Sequence, residues 1–330
     1  MKAIVYTEYG SPDVLQLQEV EKSTPKDAEV LVKVHAASAN PADWHTMRAT
    51  PFLARLVNGF FSPKNPRLGA DVAGRVEAVG SGVTQLKVGD EVFGCLSLNA
   101  MGSFAEYVCA REAALVLKPA NVTFEQAAAV PLAALTALQG LRNQGQIQAG
   151  QKVLVNGASG GVGTFAVQIA KSFGAEVTGV CSTWNLDMVR SIGADQVIDY
   201  TREDFTRNGQ QYDLIYCAVG NRSITDYQRA LKPQGVCVIA GFTNLRLLFE
   251  HMILAPRRSK AGGKRVGLMP TMSPNQKDLA FLKELLETGK IVPVIDKSYP
   301  LNETPEAIRY LETGHAKGKV VITVIQNNKS

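Results

Sequence analysis

The 330-residue sequence predicts an α/β protein with a β-rich domain and a doubly wound parallel-sheet domain. Three observations predict it. Residues 1–121 hold short β-branched or alternating runs set apart by Gly and Pro. From Thr123 the hydrophobic period becomes helical. At Val153 a valine-rich run meets the cluster Asn156-Gly157-Ala158-Ser159-Gly160-Gly161-Val162-Gly163, and strands then alternate with helices.

In chain order, Lys2–Thr7, Glu29–Ala37, Ala73–Val79, Glu91–Cys95 and Tyr107–Ala110 read as strands, with turns at Tyr9–Pro12, Gly80–Gly82 and Gly89-Asp90. Many short strands suggest a barrel-like or sandwich arrangement. Phe124–Val130 and Leu132–Leu141 read as alanine-rich helices around Pro131. After the glycine cluster, Phe165, Ile169 and Phe173 recur at helical spacing on one stripe. Val177–Cys181, Asp195–Ile198, Tyr212–Val219, Gly235–Gly241 and Arg265–Met269 are the next strands. Leu186–Ile192 and Ser223–Leu231 are the helices among them, and Gln276–Thr288 is a further helix. The tail returns to strand character at Ile291–Ile295 and Lys319–Ile325, with a helix at Pro305–Glu312. It is expected to fold back onto the first domain.

Apolar residues make up 45% and charged residues 20%, ordinary for a globular protein. The N-terminus enters strand alternation with no signal-peptide pattern, and no stretch approaches the ~20 apolar residues of a membrane span. Five scattered cysteines (Cys95, Cys109, Cys181, Cys217, Cys237) argue for reduced thiols and a cytoplasmic setting. The net charge of +5 equals the five basic residues Arg257, Arg258, Lys260, Lys264 and Arg265, so the excess is local. That is no nucleic-acid footprint, and any membrane attachment through this run would be peripheral.

Strand, glycine turn and helix together read as a pyrophosphate cradle, where backbone N–H groups at a helix N-terminus meet an anion. About twenty residues on, NAD-binding chains place an acid that accepts the ribose hydroxyl. Here Cys181-Ser182-Thr183-Trp184-Asn185 offers hydroxyls and no carboxylate, which favours NADPH over NADH. No Lys or Arg lies in that stretch; Arg202 is the nearby candidate for a 2′-phosphate clamp. Ser182 and Thr183 also suit a helix N-cap before Leu186.

The same octet, with Gly193-Ala194-Asp195 and Asp199-Tyr200, resembles the cofactor half of the medium-chain dehydrogenase/reductase superfamily, in its quinone oxidoreductase-like branch. Further matches are Ala37–Asp43, Gly69–Gly74, Val88–Val92, Gly102–Tyr107, Leu135–Ala137 and Gly318–Val321, so the resemblance spans the whole chain. It implies a GroES-like catalytic domain, residues 1–121 and 270–330, enclosing a Rossmann-type dinucleotide-binding domain, residues 122–269. It also implies a cofactor site at Asn40, Thr136, Gly157, Ala158, Ser159, Gly160, Gly161, Val162, Gly163, Ser182, Thr183, Asn185, Tyr200, Ala218, Val219, Gly241 and Phe242. Relatives commonly carry Arg at the place of Trp184 or Lys near Asn185, and both are lost here. A homodimer is the usual assembly.

Zinc alcohol dehydrogenases of the superfamily use a Cys where this chain has Asn40 and a His-Glu pair where it has Ala70-Asp71. They also carry a lobe of four close cysteines. Neither set is present, and His35, His45, His251 and His315 make no ligand spacing, so no zinc is expected. Without a Lewis acid, hydride transfer is expected to electron-poor acceptors, quinones or the β-carbon of α,β-unsaturated carbonyls. The expected catalytic residues are Asn40, bonding the nicotinamide ribose or the acceptor oxygen, with Asp43 and His45. Trp44, Phe60 and Phe61 are expected to line an acceptor pocket. The alternatives are a zinc-free alcohol dehydrogenase-like enzyme and a nucleotide-binding protein with little turnover, crystallin-like or RNA-binding.

Overall fold

The computed structural model describes residues 1–50, 52, 55–243, 245–258 and 263–325. The chain divides into two compact units: Met1–Ala133 with Ser273–Thr288 and the chain from Pro293 on, and Ala134–Met272 with Gly289–Val292.

The first unit opens with β1 (Lys2–Val5) and β2 (Gln16–Glu19), an antiparallel pair. Its main sheet uses β3 (Glu29–Ala39), β4 (Asp71–Val79), β5 (Glu91–Cys95), β6 (Tyr107–Arg111) and β7 (Leu115–Leu117). Val30, Val32 and Val34 alternate along β3 and are wholly buried against Val72, Val76, Val92, Val108 and Leu115. This alternation gives β3 one core-facing side.

The second unit is a parallel sheet of β8 (Lys152–Asn156), β9 (Glu176–Cys181), β10 (Gln196–Asp199), β11 (Tyr212–Cys217), β12 (Leu231–Ile239) and β13 (Arg265–Leu268). Its order is β10-β9-β8-β11-β12-β13. The order reverses at β8, so β9 and β11 flank it and a crevice opens at its carboxyl end. The glycine turn sits at that end, and the helix Gly161–Ser172 buries Phe165 and Ile169, two of the three stripe residues.

The tail completes the first unit. Strand β14 (Ile295–Pro300) pairs parallel with β15 (Lys319–Thr323), and β15 lies antiparallel to β3 with Val320 opposite Ala39.

Four features depart from the sequence reading. The run Ile291–Ile295 is no strand, and β14 starts only at Ile295. Pro293 lacks an N–H, and the Val292 N–H donates to Gln168 Oε1 at 2.7 Å, outside any ladder. The helix Phe124–Ala128 lies in the first unit, where Phe124 stacks on His35 of β3 at 4.1 Å. A helix forms at Pro41–Arg48, which shows no hydrophobic period because only Asp43 and Met47 on it are buried. Another forms at Leu245–Arg258. Of the basic run, Lys260 lies outside the described residues.

All five cysteines are free, four of them buried. Among the described residues no helix is long and apolar enough to cross a membrane.

Candidate active site

At the carboxyl end of β8 the chain must turn sharply. Gly157 does so with φ +84°, a left-handed conformation that disfavours a side chain. The N–H groups of Gly157 and Ala158 donate to Val180 O of β9 at 3.1 and 3.0 Å, tying the turn to the neighbouring strand. Gly160 caps the following helix. A Cβ on Gly163 would lie 1.9 Å from Gly157 O, so only glycine lets the helix start this close to the turn. The first-turn N–H groups, from Gly161, Val162 and Gly163, have no acceptor within an α-helix and face the sheet's carboxyl end.

The neighbouring strand ends bring the other expected cofactor residues to the same edge of the sheet. Beyond β9, Asn185 Nδ2 donates to Ser182 Oγ at 3.1 Å and to Ser159 Oγ at 3.3 Å, linking this loop to the glycine turn. Asn185 Oδ1 is buried without a hydrogen-bond partner among the described residues, an acceptor suited to a hydroxyl donor. Beyond β11, Ala218 N and Val219 N donate to Asn156 O at 3.0 and 3.3 Å. Beyond β12, Gly241 O accepts the Gly220 N–H at 2.6 Å, and Phe242 bridges Gly220. A Cβ at Gly241 would stand 2.7 Å from Ala218 O. Thr136 is in the same unit, its carbonyl accepting from Tyr216 Oη at 3.2 Å. Tyr200 is exposed, with its N–H donating to Cys181 O. A glycine cradle, free helix N–H groups and an orphaned acceptor at one crevice fit a dinucleotide.

The structure also brings a carboxylate to this loop. Asp199, at the end of β10, accepts from Thr183 Oγ1 at 2.5 Å. Arg202, the cation the sequence offers for a 2′-phosphate, lies 3.6 Å from that carboxylate and is therefore shared with it. Trp184 is 88% exposed.

The first unit gathers a second cluster around Asn40, just ahead of the helix Pro41–Arg48. Pro41 at the first helical position suits a fixed φ, and Asp43 Oδ2 accepts the Asn40 N–H at 2.7 Å, the acidic half of a capping box. Asp43 Oδ1 accepts the Gly69 N–H at 2.9 Å. Burial pushes the Asp43 carboxyl up to about 7, against the pull of those two N–H groups. Both Asp43 oxygens are thus engaged in holding backbone.

Asn40 is 2% exposed, and its amide is nearly used up. Nδ2 donates to Asp71 Oδ2 at 2.9 Å and to Ser38 O at 3.1 Å, while Lys319 Nζ donates to Oδ1. Asp71 is wholly buried; it also accepts from Ser38 Oγ at 2.6 Å and Leu132 N at 2.7 Å. The sequence reading missed Ser38, Asp71 and Lys319 as members of one network. The motif Gly318–Val321 flagged the lysine's segment without giving it a role, since the pair Lys319–Asn40 is 279 residues apart.

Of the other expected residues, His45 is exposed, stacked on Trp44 at 3.6 Å, with Nδ1 3.1 Å from Thr50 O. Phe60 and Phe61 meet edge to face at 5.0 Å and are 50% and 90% exposed.

Zinc does not fit the Asn40 cluster. Ala70 offers a methyl group, Asn40 an amide whose Oδ1 already takes the Lys319 ammonium, and Asp71 a carboxylate that faces the same buried ammonium 3.5 Å away. A second cation there would be repelled by the first.

A parallel sheet whose order reverses at a glycine turn, together with a β-rich unit made from both ends of the chain, is the architecture of a two-domain dinucleotide-binding protein. Residues 26–120 match the alcohol dehydrogenase GroES-like domain family, and residues 192–322 match the zinc-binding dehydrogenase family. A 2-methylene-furan-3-one reductase of Solanum lycopersicum is 39% identical over 98% of this chain and 79% of its own. An NADPH-dependent alkenal/one oxidoreductase, chloroplastic, of Arabidopsis thaliana is 37% identical with the same coverage. The solved quinone oxidoreductase of Coxiella burnetii superposes with a TM-score of 0.87 at 33% identity, covering 98% of this chain and 99% of that one. The chain belongs to the medium-chain dehydrogenase/reductase superfamily, in its quinone oxidoreductase-like branch.

Proposed function

We propose that the protein is a zinc-independent, NADPH-dependent reductase of quinones or α,β-unsaturated carbonyls. The observation that carries this reading is the donor set at Asn40. An amide, a methyl and a carboxylate paired with Lys319 give no seat for the Lewis acid that alcohol–ketone interconversion uses. An acceptor that is already electron-poor needs no such help, because its developing charge delocalises onto a carbonyl oxygen. The glycine turn, Ser159, Ser182, Thr183, Asn185, Tyr200, Ala218, Val219 and Gly241 would hold NADPH, with Thr136 and Phe242 towards its nicotinamide. Bound there, NADPH supplies the hydride. The chain's own part is to orient: Asn40 holds the nicotinamide ribose, and Trp44, Phe60 and Phe61 bring the acceptor to it. His45, exposed and stacked on Trp44, is the proton donor to the reduced acceptor. The names of the relatives, an alkenal/one reductase and a furanone reductase among them, support the enone half of this reading. We take the protein to act as a cytoplasmic homodimer.

The test is NADPH consumption with a quinone, a short enone and a simple ketone, run in parallel with NADH. Turnover of the first or second without the third is expected, unchanged by a chelator. Ketone reduction that a chelator abolishes and added zinc restores would refute the proposal. Cofactor preference has its own check. No basic residue stands at Ser182–Asn185, and Arg202 is shared with Asp199, so Trp184→Arg should favour NADPH over NADH by roughly tenfold more than wild type. An unchanged ratio would place the 2′-phosphate elsewhere.

A further inference from the structure

The Asn40 network carries more than the absence of a zinc seat. An asparagine amide presents an acceptor and a donor that can exchange places by a half-turn about one bond. Here that choice is forced from both sides. Lys319 Nζ is a donor only, so it must face Oδ1; the Asp71 carboxylate is an acceptor only, so it must face Nδ2. The second Nδ2 hydrogen goes to Ser38 O at 3.1 Å. Both hydrogens are therefore committed inside the protein, so Asn40 can meet a ligand only as an acceptor, through Oδ1. The network is sealed: Lys319 and Asp71 side chains are 3% and 0% exposed. A buried cation of this kind is costly to desolvate and persists where its partners are fixed.

We propose that Lys319 is a positioning residue for cofactor recognition. It locks Asn40 as a pure acceptor, so that Asn40 reads a hydroxyl of the nicotinamide ribose and does not donate to the oxygen of the substrate. The inference rests on the reading that Asn40 meets that ribose, and it decides between the two roles open to Asn40. It also assigns Lys319 a role that acts through Asn40, without itself touching cofactor or substrate.

The experiment measures binding, by fluorescence titration, of two ligands: NADPH, and 2′-phospho-ADP-ribose, which lacks the nicotinamide. Lys319→Met should weaken NADPH about five- to tenfold and the fragment less than about twofold, since one oriented hydrogen bond is lost at the nicotinamide end only. Asn40→Ala should do the same, and Lys319→Met added to Asn40→Ala should weaken NADPH no further. Lys319→Arg, which keeps the charge and the donors, should retain most of the NADPH preference. Equal losses for both ligands, or losses that add in the double variant, would show a merely structural lysine and overturn the inference. If Lys319→Met fails to fold, Lys319→Arg against Asn40→Ala carries the test. The preference for NADPH over the fragment must survive in the first and fall in the second; any other pattern overturns it. Wild-type protein that binds the fragment as tightly as NADPH would instead refute the reading on which the inference rests.

Discussion

At the residue scale, Asp43 shows how one carboxylate can be held at a cost to the fold. Its two oxygens accept N–H groups of Asn40 and Gly69, yet burial raises its pKa from 3.8 to about 7. The unfolded chain releases the proton near pH 4 and the folded chain only near 7. Between these values the unfolded state binds fewer protons, so this group makes stability fall as pH rises, and its effect levels off above about 7. Denaturant unfolding of wild type at pH 5 and pH 8 should show this loss, on the order of a few kcal/mol at most. Asp43→Asn should flatten the slope. It should also lower stability by about 1–3 kcal/mol, because the amide NH2, a donor with no acceptor capacity, would face one of the two N–H groups. An undiminished slope in the variant would assign the titration to another group. The sequence reading placed no helix at Pro41–Arg48 and so did not find this cap, although Asn-Pro-Ala-Asp stands in the sequence. Nor did it find the clamp on Gly69, which joins segments 26 residues apart.

At the scale of elements, the glycine turn and its helix were legible for a local reason: strand, turn and helix are contiguous, and Phe165 and Ile169 repeat at helical spacing. The structure adds that the glycines of the turn are not equivalent. A Cβ at Gly163 meets only backbone: Gly157 O at 1.9 Å, Gly157 C at 2.8 Å and Ala158 Cα at 2.9 Å. One at Gly160 finds nothing nearer than Gly157 O at 3.6 Å. Gly163→Ala should therefore push the helix away from β8, costing about 1–3 kcal/mol and weakening NADPH about tenfold or more. Gly160→Ala meets no such clash and should cost no more than about 1 kcal/mol, the difference between glycine and alanine at a helix N-cap. Equal melting temperatures for the two variants would sink this distinction. Elements whose signals were not local were missed or displaced. The helix Pro41–Arg48 buries too few residues to show a period, and the apolar run Ile291–Val294 buries Ile291 but leaves Val292 53% exposed, with the Val292 N–H given to Gln168 Oε1 outside a ladder.

At the scale of the whole molecule, the chain builds its first unit from both ends, and the last strands complete the site as well as the sheet. Val320, Val321 and Ile322 of β15 are wholly buried, and their backbone pairs with Ala37–Ala39 of β3, the segment that leads into Asn40. The same strand begins at Lys319, the cation that balances Asp71. Ending the chain after Pro293 would thus remove two strands, expose the edge of β3 at Ala36–Ala39, and leave a buried carboxylate facing no cation. An exposed apolar edge invites pairing with another chain, and an unpaired buried charge costs about 3–5 kcal/mol. Together these approach the whole stability of a domain, on the order of 5–15 kcal/mol. The truncated protein should accordingly collect in the insoluble fraction. Adding Asp71→Asn to the truncation should not rescue it, since the open edge of β3 persists. A truncated chain that stays soluble and keeps its NADPH affinity would show that the first unit does not depend on its C-terminal strands, and that Lys319 is dispensable to Asn40.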